Sequence, residues 1–423
     1  MKIRAGDGCE ELGHAEMLST PIFYCANPGD KITLKNKKYK FNIATYRPEI
    51  ESKWIYTYDY APDQSWTVYN NDLSGDSYRQ DEHIFDDQLY FRICLRKING
   101  EKFDGSENIN EILEFNTNPI PKKPKEWIIT EVKRITSKIS GLSNKKNKKF
   151  IVLSDTHYNI NGTWDDTYFA INQLCQQIKP DGIIHLGDIT DGMVTGDATK
   201  HYAKIILNDL KNCGTPVHIV PGNHDSNYFR SNPEPFSYEQ QKNIYFNDND
   251  PRHCIDLPSL RMIFLDSYDY IEELRYGYSK ECIKWLEEVL ETTPDNKKVF
   301  IFSHLPPVAR LQFWTKAIRG ESEIKMLLKT HKEKLLGWIN GHNHADRLDN
   351  DEGYPIISIA NSKCEAFTEH KTEGFITPER SLNTVTQEAF DIMIINPEKE
   401  TVKFIRFGAG KDRVIKNRKA EWL

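Results

Sequence analysis

Several things are missing from this 423-residue chain, and each absence closes off a class of function. None of its eight cysteines (Cys9, Cys25, Cys94, Cys175, Cys213, Cys254, Cys282 and Cys364) forms a C-x-x-C pair, and they are scattered along the sequence. That excludes a disulfide framework or a structural zinc site and fits small buried hydrophobes in a reducing compartment. No apolar run approaches the ~18 residues of a membrane span, so no membrane span is expected. The first residues are broken by Asp7, Glu10, Glu11 and Glu16 and hold no signal-peptide h-region, which makes the cytoplasm the expected location. Neither charge dominates: 56 Lys+Arg against 62 Asp+Glu leave a net charge of -6, which argues against a dedicated nucleic-acid coat. There is no internal repeat. What remains is a soluble, globular composition long enough for two or three domains.

Three stretches follow one another. Residues 1–117 are rich in aromatic and β-branched residues on short segments: 21–26, 31–35, 40–45, 53–58, 66–70 and 89–96, separated by turn clusters such as 27–30 and 70–76. That spacing predicts an all-β sandwich or barrel. In 89–96, Phe91, Ile93 and Leu95 alternate with Tyr90, Arg92, Cys94 and Arg96, predicting a strand with one apolar face. Trp54, Tyr56, Trp66 and Tyr69 could stack on sugars, making the domain a candidate module for a carbohydrate or cell-wall polymer, with core packing as the ordinary use of such aromatics.

Composition shifts abruptly at 118–149. Between Pro121 and Phe150 lie ten Lys/Arg and only two acids, a local net charge of +8. Ile128, Val132, Ile135 and Ile139 recur at helical spacing, so a basic helix and linker are expected, with docking on an anionic polymer as the sharper alternative. From residue 150 to 423 apolar strands (150–154, 182–186, 216–220, 262–265, 299–302, 337–340) alternate with amphipathic helical patterns. This indicates an α/β layered fold.

The chemistry lies at the strand ends. Residues 150–154 lead into Asp155-Thr156-His157, and 182–186 into Gly187-Asp188-Ile189-Thr190-Asp191. Residues 216–220 lead through Pro221 into Gly222-Asn223-His224-Asp225, 299–302 into Ser303-His304, and 337–340 into Gly341-His342-Asn343-His344. Each motif alone is weak, since Gly, Asn and Asp are ordinary turn residues. Five junctions ending in metal-ligating types, in the order D-x-H, GDxxD, GNHD, H, GHxH, are specific. Ligands in open α/β sheets bind just beyond the carboxyl ends of strands, and imidazole with carboxylate suits manganese, iron or zinc.

That ordered set, from Lys149 to about Gly410, resembles the calcineurin-like metallophosphoesterases. The resemblance implies two mixed β-sheets flanked by helices, and two adjacent divalent metals bridged by a carboxylate and a water or hydroxide. Carried over by motif, one metal would take Asp155, His157, Asp188 and His344, and the other Asp188, Asn223, His304 and His342. His224 would face the phosphate and assist the leaving group, with Asp225 orienting its imidazole and holding it cationic. The implied function is a metal-dependent phosphoesterase, by preference a phosphodiesterase, with manganese, iron or zinc as cofactor. A phosphomonoesterase, a nuclease of the same superfamily or a non-catalytic phage-tail or cell-surface protein are the alternatives.

Departures narrow the branch. Gly192-Met193 follows Asp191 where Ser/Thr phosphatases carry Arg-Gly, and purple acid phosphatases carry Tyr at the Asp191 position. Residues 220–225, 264–267, 276–279 and 303–307 look most like the class III cyclic-nucleotide phosphodiesterases. DNA-repair nucleases share the five motifs, so nucleic acid stays open as a substrate. Residues 404–415 predict a closing hairpin whose Arg406 and Arg413 read as a solvated strand end, with phosphate contact as the sharper alternative. This segment and 89–103 resemble parts of phage-tail and cell-surface enzymes, which makes a virion the alternative location. The loop 362–385 is long enough to act as a lid.

Overall fold

The computed structural model describes residues 2–3, 10–11, 16–20, 24–47, 67–70, 78–86, 89–104, 107–116, 124–142, 147–158, 163–192, 196–228, 232–268, 276–313, 317–364, 374–381 and 384–423. Two compact units emerge, one of residues 1–123 with 160–162, the other of 124–159 with 163–423. Trp54, Tyr56, Trp66 and the Tyr69 side chain lie outside the described residues, as does the middle of the 362–385 loop.

The first unit is built of antiparallel strands. Leu89–Lys97 sits at the centre of one sheet, paired with Tyr39–Arg47, Leu18–Ser19 and Tyr24–Ala26, while Lys31–Leu34 joins Leu113–Asn116 and Glu82–Ile84 in another. Ile32 and Leu34 from one sheet share a core with Phe41, Phe91 and Ile93 from the other, which is how two sheets of a sandwich pack. The central strand is buried on both faces rather than one. Arg92 lies wholly inside, where its Nε and Nη2 both donate to the Thr20 carbonyl at 2.8 and 2.5 Å, which offsets part of the cost of burying a guanidinium.

The second unit begins with helix α1 (Glu126–Ser140). Its Ile128, Val132, Ile135 and Ile139 are buried in the same core as helices α2 (Trp164–Ile178) and α3 (Gly196–Asn212). The basic stretch is therefore no free linker. Of its six described cations, five are engaged within the unit: Lys125 with Asp166, Arg134 with Glu131, Lys138 with Asp412, Lys148 with Asp181, and Lys149 with the Ile178 carbonyl.

Strands β1 (Lys148–Leu153), β2 (Gly182–His185) and β3 (Val217–Ile219) run parallel. With β10 (Ala389–Asn396), β11 (Thr401–Gly408), β12 (Arg413–Lys416) and β13 (Lys419–Trp422) they make a seven-stranded mixed sheet, order β3-β2-β1-β10-β11-β12-β13. The second sheet contains β4 (His253–Leu257), β5 (Leu260–Phe264), β6 (Lys298–Ser303), β7 (Leu335–Asn340), β8 (Arg347–Asp349) and β9 (Ile356–Ser358), in the order β4-β5-β6-β7-β9-β8. Phe150 and Val152 of β1 point into a core shared with Phe300 and Phe302 of β6, so the sheets stack face to face. Ile151 and Leu153 point the other way, to α1–α3. Helix α4 (Tyr238–Phe246) adds Tyr245 to the core of α1–α3, and helices α5 (Lys280–Thr292) and α6 (Glu321–Thr330) cover the outer face of the second sheet at Ile263, Val299, Ile301 and Trp338. Strands buried on both faces read as unbroken apolar runs, the pattern seen in 150–154 and 299–302.

The four-layer stack brings the carboxyl ends of β1, β2, β3, β6 and β7 to one edge. Every motif loop leaves from that edge.

Candidate metal centre

The loops hold their side chains by unusual backbone. Asp155, His157, Asp188, His342 and His344 all have positive φ, between 44° and 66°, and make up five of the twelve non-glycine residues in that region among those described. Such conformations cost energy for L-residues and persist where surrounding structure over-determines them. The neighbouring glycines permit the approach. A Cβ on Gly222 would run into the Asp188 amide and carboxylate, and one on Gly341 into Ser154 Oγ and the Asp155 carboxylate. Glycine is the residue that lets backbone come this close.

The seven residues expected as ligands converge, deeply buried. Asp155, His157 and His344 form one group and Asp188, His304 and His342 another; within each, the candidate ligand atoms lie within 4.8 Å of one another. His157 Nε2 stands 3.0 Å from His344 Nε2 and 3.6 Å from Asp188 Oδ2. His304 Nε2 is 3.2 Å from Asp188 Oδ2, 3.2 Å from His342 Nδ1 and 3.1 Å from Asn223 Oδ1. Asp188 thus touches both groups. Imidazole nitrogens aimed at each other at 3.0–3.2 Å have converging lone pairs, and a cation at the point of convergence would satisfy them. His304 Nδ1 lies 2.7 Å from the Leu186 carbonyl, which fixes the tautomer and leaves Nε2 as the ligand atom. The donor set, mixed oxygen and imidazole around one shared carboxylate, fits two divalent ions.

Electrostatics agree. Burial works against ionising Asp188, yet the imidazoles of His304 and His224 hold its carboxyl well below the usual range. Burial likewise opposes charge on His304, but Asp188 lifts it to about 9. Protons held this way on imidazoles are what a divalent cation displaces on binding.

His224 starts a short 3-10 turn beside the second group, its Nε2 4.0 Å from Asp188 Oδ2. Its Nδ1 is 2.5 Å from the carbonyl of Asp191, and burial pulls the imidazole down to about 4. Asp225 does not orient that ring, contrary to the sequence expectation. Its Oδ2 accepts from the amides of Asp188 and Gly222 at 3.0 Å each, and its Oδ1 from Ile189 and Thr190 at 2.8 and 3.2 Å. It is a clamp on the metal loop, and the imidazole it was expected to keep cationic is held neutral by burial instead.

Five further residues, Asp191, His185, Thr156, Ser362 and Lys363, surround the ligands. Asp191 Oδ1 pairs with His157 Nδ1 at 3.2 Å. His185, wholly buried and pushed by burial to about 3, takes the Gly187 amide on Nδ1 and meets Thr156 Oγ1 at 2.7 Å. Thr156 Oγ1 in turn lies 3.0 Å from Ser362 Oγ. Lys363 brings its ammonium to 4.0 Å from Asp191 Oδ1. The only signal for His185 in sequence was a polar residue in an otherwise apolar strand. Arg406 and Arg413, read from sequence as a solvated strand end with phosphate contact as the alternative, are instead locked inside the unit with Asp346 and Asp391.

Residues 148–346 match the family model of the calcineurin-like phosphoesterases. The chain carries a calcineurin-like phosphoesterase domain. An Arcobacter nitrofigilis protein named "Probable glycerophosphodiester phosphodiesterase GpdQ" is 37% identical over 133 residues, 31% of this chain and 43% of that protein. The manganese-dependent ADP-ribose/CDP-alcohol diphosphatase of Xenopus laevis is 24% identical over 41% of this chain and 64% of its own length. A DNA double-strand break repair protein of Sulfurisphaera tokodaii is 27% identical over 53% of this chain and 55% of its own length. The chain thus spans between 43% and 64% of these relatives. The phosphoesterase domain holds all seven candidate ligands. Among the described residues, no helix is long and apolar enough to cross a membrane.

Proposed function

We propose that the chain is a two-metal phosphoester hydrolase acting by preference on diesters. The observation that carries this reading is the pair of ligand groups meeting at Asp188. Two divalent ions, for which manganese is the first candidate, would lower the pKa of a water and clamp the attacking and leaving oxygens of an in-line displacement.

The chain's own residues then divide the work. Asp155, His157 and His344 hold one ion, and Asn223, His304 and His342 the other, with Asp188 shared. His224, its Nδ1 tied to the Asp191 carbonyl, presents Nε2 to the substrate. An anion bound there offsets the burial that lowers this imidazole, so that it can carry the proton needed by the departing alkoxide. Asp225 and Gly222 keep the Asp188 loop in its strained form, so no reorganisation is needed when substrate arrives.

The test is hydrolysis of bis(p-nitrophenyl) phosphate beside p-nitrophenyl phosphate, using metal-free protein and then added Mn²⁺. Faster, metal-dependent cleavage of the diester supports the reading. Preference for the monoester would move it to a phosphatase, and no cleavage with any divalent ion would remove it.

A further inference from the structure

Helix α1 leaves part of its own sheet uncovered. It runs along β11, with Glu131 Oε1 accepting from the Gly408 amide at 3.1 Å and Arg134 Nη2 donating to the Arg406 carbonyl at 2.9 Å. Its Ile135 and Ile139 share a core with Ile405 and Phe407. The helix then stops at Ser140. Lys403 is two residues before Ile405 and so on the same face of β11. With Leu142, just past the helix end, it lines a cavity of about 430 Å³, a volume suited to a small molecule.

Asp412 ties the walls of this cavity together. Its Oδ1 accepts from the Arg406 amide of β11 at 3.0 Å, its Oδ2 pairs with Lys138 of α1, and its carbonyl accepts from the Leu423 amide at 3.0 Å. Walls bonded to one residue in this way are formed before a ligand arrives, which lowers the cost of binding.

The lining is divided in character. Leu142, Ile405 and Leu423 give it an apolar part, while Lys138, Lys403 and Lys411 face a single carboxylate, Asp412. Lys138 is engaged with that carboxylate. The ammonium groups of Lys403 and Lys411 have no hydrogen-bond or ion-pair partner among the described residues. An ammonium donates and never accepts, so two of them beside apolar surface suit an anion that carries a hydrocarbon body. No residue that lines the cavity is a candidate metal ligand or one of the five residues around the ligands.

We infer that this cavity is a second binding site, separate from the metal centre, for a small organic anion with an apolar body. The acidic head meets Lys403 and Lys411, and the hydrocarbon part lies on Leu142, Ile405 and Leu423. The inference goes beyond the hydrolase reading and uses none of the same residues.

The experiment measures binding of hexanesulfonate, methanesulfonate and hexanol to the full chain by calorimetry. A sulfonate carries the charge without a phosphoester bond that the metal centre could cleave. The wild type should bind hexanesulfonate about tenfold or more tightly than either half of it alone. Lys403→Met combined with Lys411→Met removes both charges and keeps apolar side chains, and should bring hexanesulfonate down to the level of hexanol. Leu142→Ser should weaken hexanesulfonate severalfold and leave methanesulfonate unchanged. A wild type without the preference would overturn the inference. So would a preference that survives the lysine double variant, since the anion would then sit elsewhere, or hexanesulfonate binding that Leu142→Ser leaves intact. Should Leu142→Ser lack a native thermal transition, Leu423→Ser, at a residue 64% exposed, takes its place. The two readings fail separately: a protein with the lysine-dependent preference that cleaves no ester loses the hydrolase reading alone, and one that cleaves diesters without the preference loses only the second site.

Discussion

Two buried polar clusters lie in the same α/β unit and are built on opposite rules. In one, Arg406 and Arg413 close a box with Asp346 and Asp391, all four no more than 2% exposed, with Arg406 Nη2 and Arg413 Nη1 both 2.6 Å from Asp346 Oδ1 and Arg406 Nε 3.0 Å from Asp391 Oδ1. Its two positive and two negative charges cancel. In the other, histidines face histidines and carboxylates sit among them, with the backbone bent to positive φ to keep them there. The first cluster balances its charge within the chain. The second is arranged around positions where cations are wanted, and the backbone cost of that arrangement marks it as the place of function.

Breaking the second cluster should have the largest effect. Asp188→Asn leaves the shape but weakens the one ligand shared by both groups, and turnover of the diester should fall by roughly 10³-fold or more, about 4 kcal/mol of transition-state stabilisation. Mn²⁺ should raise the thermal transition of the wild type, by an amount worth about 2.7 kcal/mol at a hundredfold excess over Kd, and raise that of Asp188→Asn far less. Retained metal-dependent turnover in the variant would undo the assignment.

Breaking the first should cost stability without touching chemistry directly. Arg406→Met leaves Asp346 and Asp391 with half their compensation in a dry interior, a loss of about 3–5 kcal/mol by denaturant unfolding of the metal-free protein. Adding Asp391→Leu to it should recover part of that loss, because the second change removes the charge the first left exposed to the low dielectric. If the double variant were as unstable as the two single losses added together, the box would not be acting as one unit. Asp346 lies two residues beyond His344 and also takes the Ala360 amide at 3.0 Å, so the box braces the last metal loop as well.

The contrast also separates what the sequence made legible from what it did not. The seven ligand positions could be read because each follows directly on an apolar strand, and strand ends of such a sheet share one edge. The layered α/β architecture followed from the same runs. Counterions could not be read, because they come from distant segments. Arg406 and Arg413 read as a solvated strand end or as phosphate contacts, because their counterion Asp346 lies sixty residues upstream of Arg406. Asp225 looked like a partner for its neighbour His224, yet spacing says nothing of the four backbone amides from other loop positions that claim it. Arg92, likewise, gave no sign that the Thr20 carbonyl would allow its burial.

Another buried carboxyl, Glu388, belongs to neither cluster. It accepts from Thr167 Oγ1 at 2.6 Å and from Gln387 Nε2 at 3.0 Å, but burial lifts it to about 7. Its folded pKa is above the unfolded value, so the native state binds the extra proton between about pH 4.5 and 7. The stability this proton gives is present below that window and lost as pH rises through it, up to about 3 kcal/mol. Glu388→Gln should flatten that part of the stability profile, with its largest gain over wild type near pH 8 and little difference near pH 4. Parallel profiles for the two proteins would show that Glu388 is an ordinary, ionised carboxylate.

The smallest effect sharpens the comparison by changing burial alone. Lys284 and Glu288 are an opposite-charge pair like those of the box, one turn apart on α5 at 3.8 Å, but their side chains are 77% and 62% exposed. In water the attraction is screened and ordering two long side chains costs entropy, so Lys284→Ala should shift stability by no more than about 0.5 kcal/mol, and less in high salt. Arg406→Met and Lys284→Ala each delete one cation from an ion pair, and a tenfold ratio between their costs would follow from the dielectric around the partner left behind. A Lys284→Ala loss of several kcal/mol would mean that the charge itself, and not its removal from water, sets the scale, and the large value expected for the box would then need another cause.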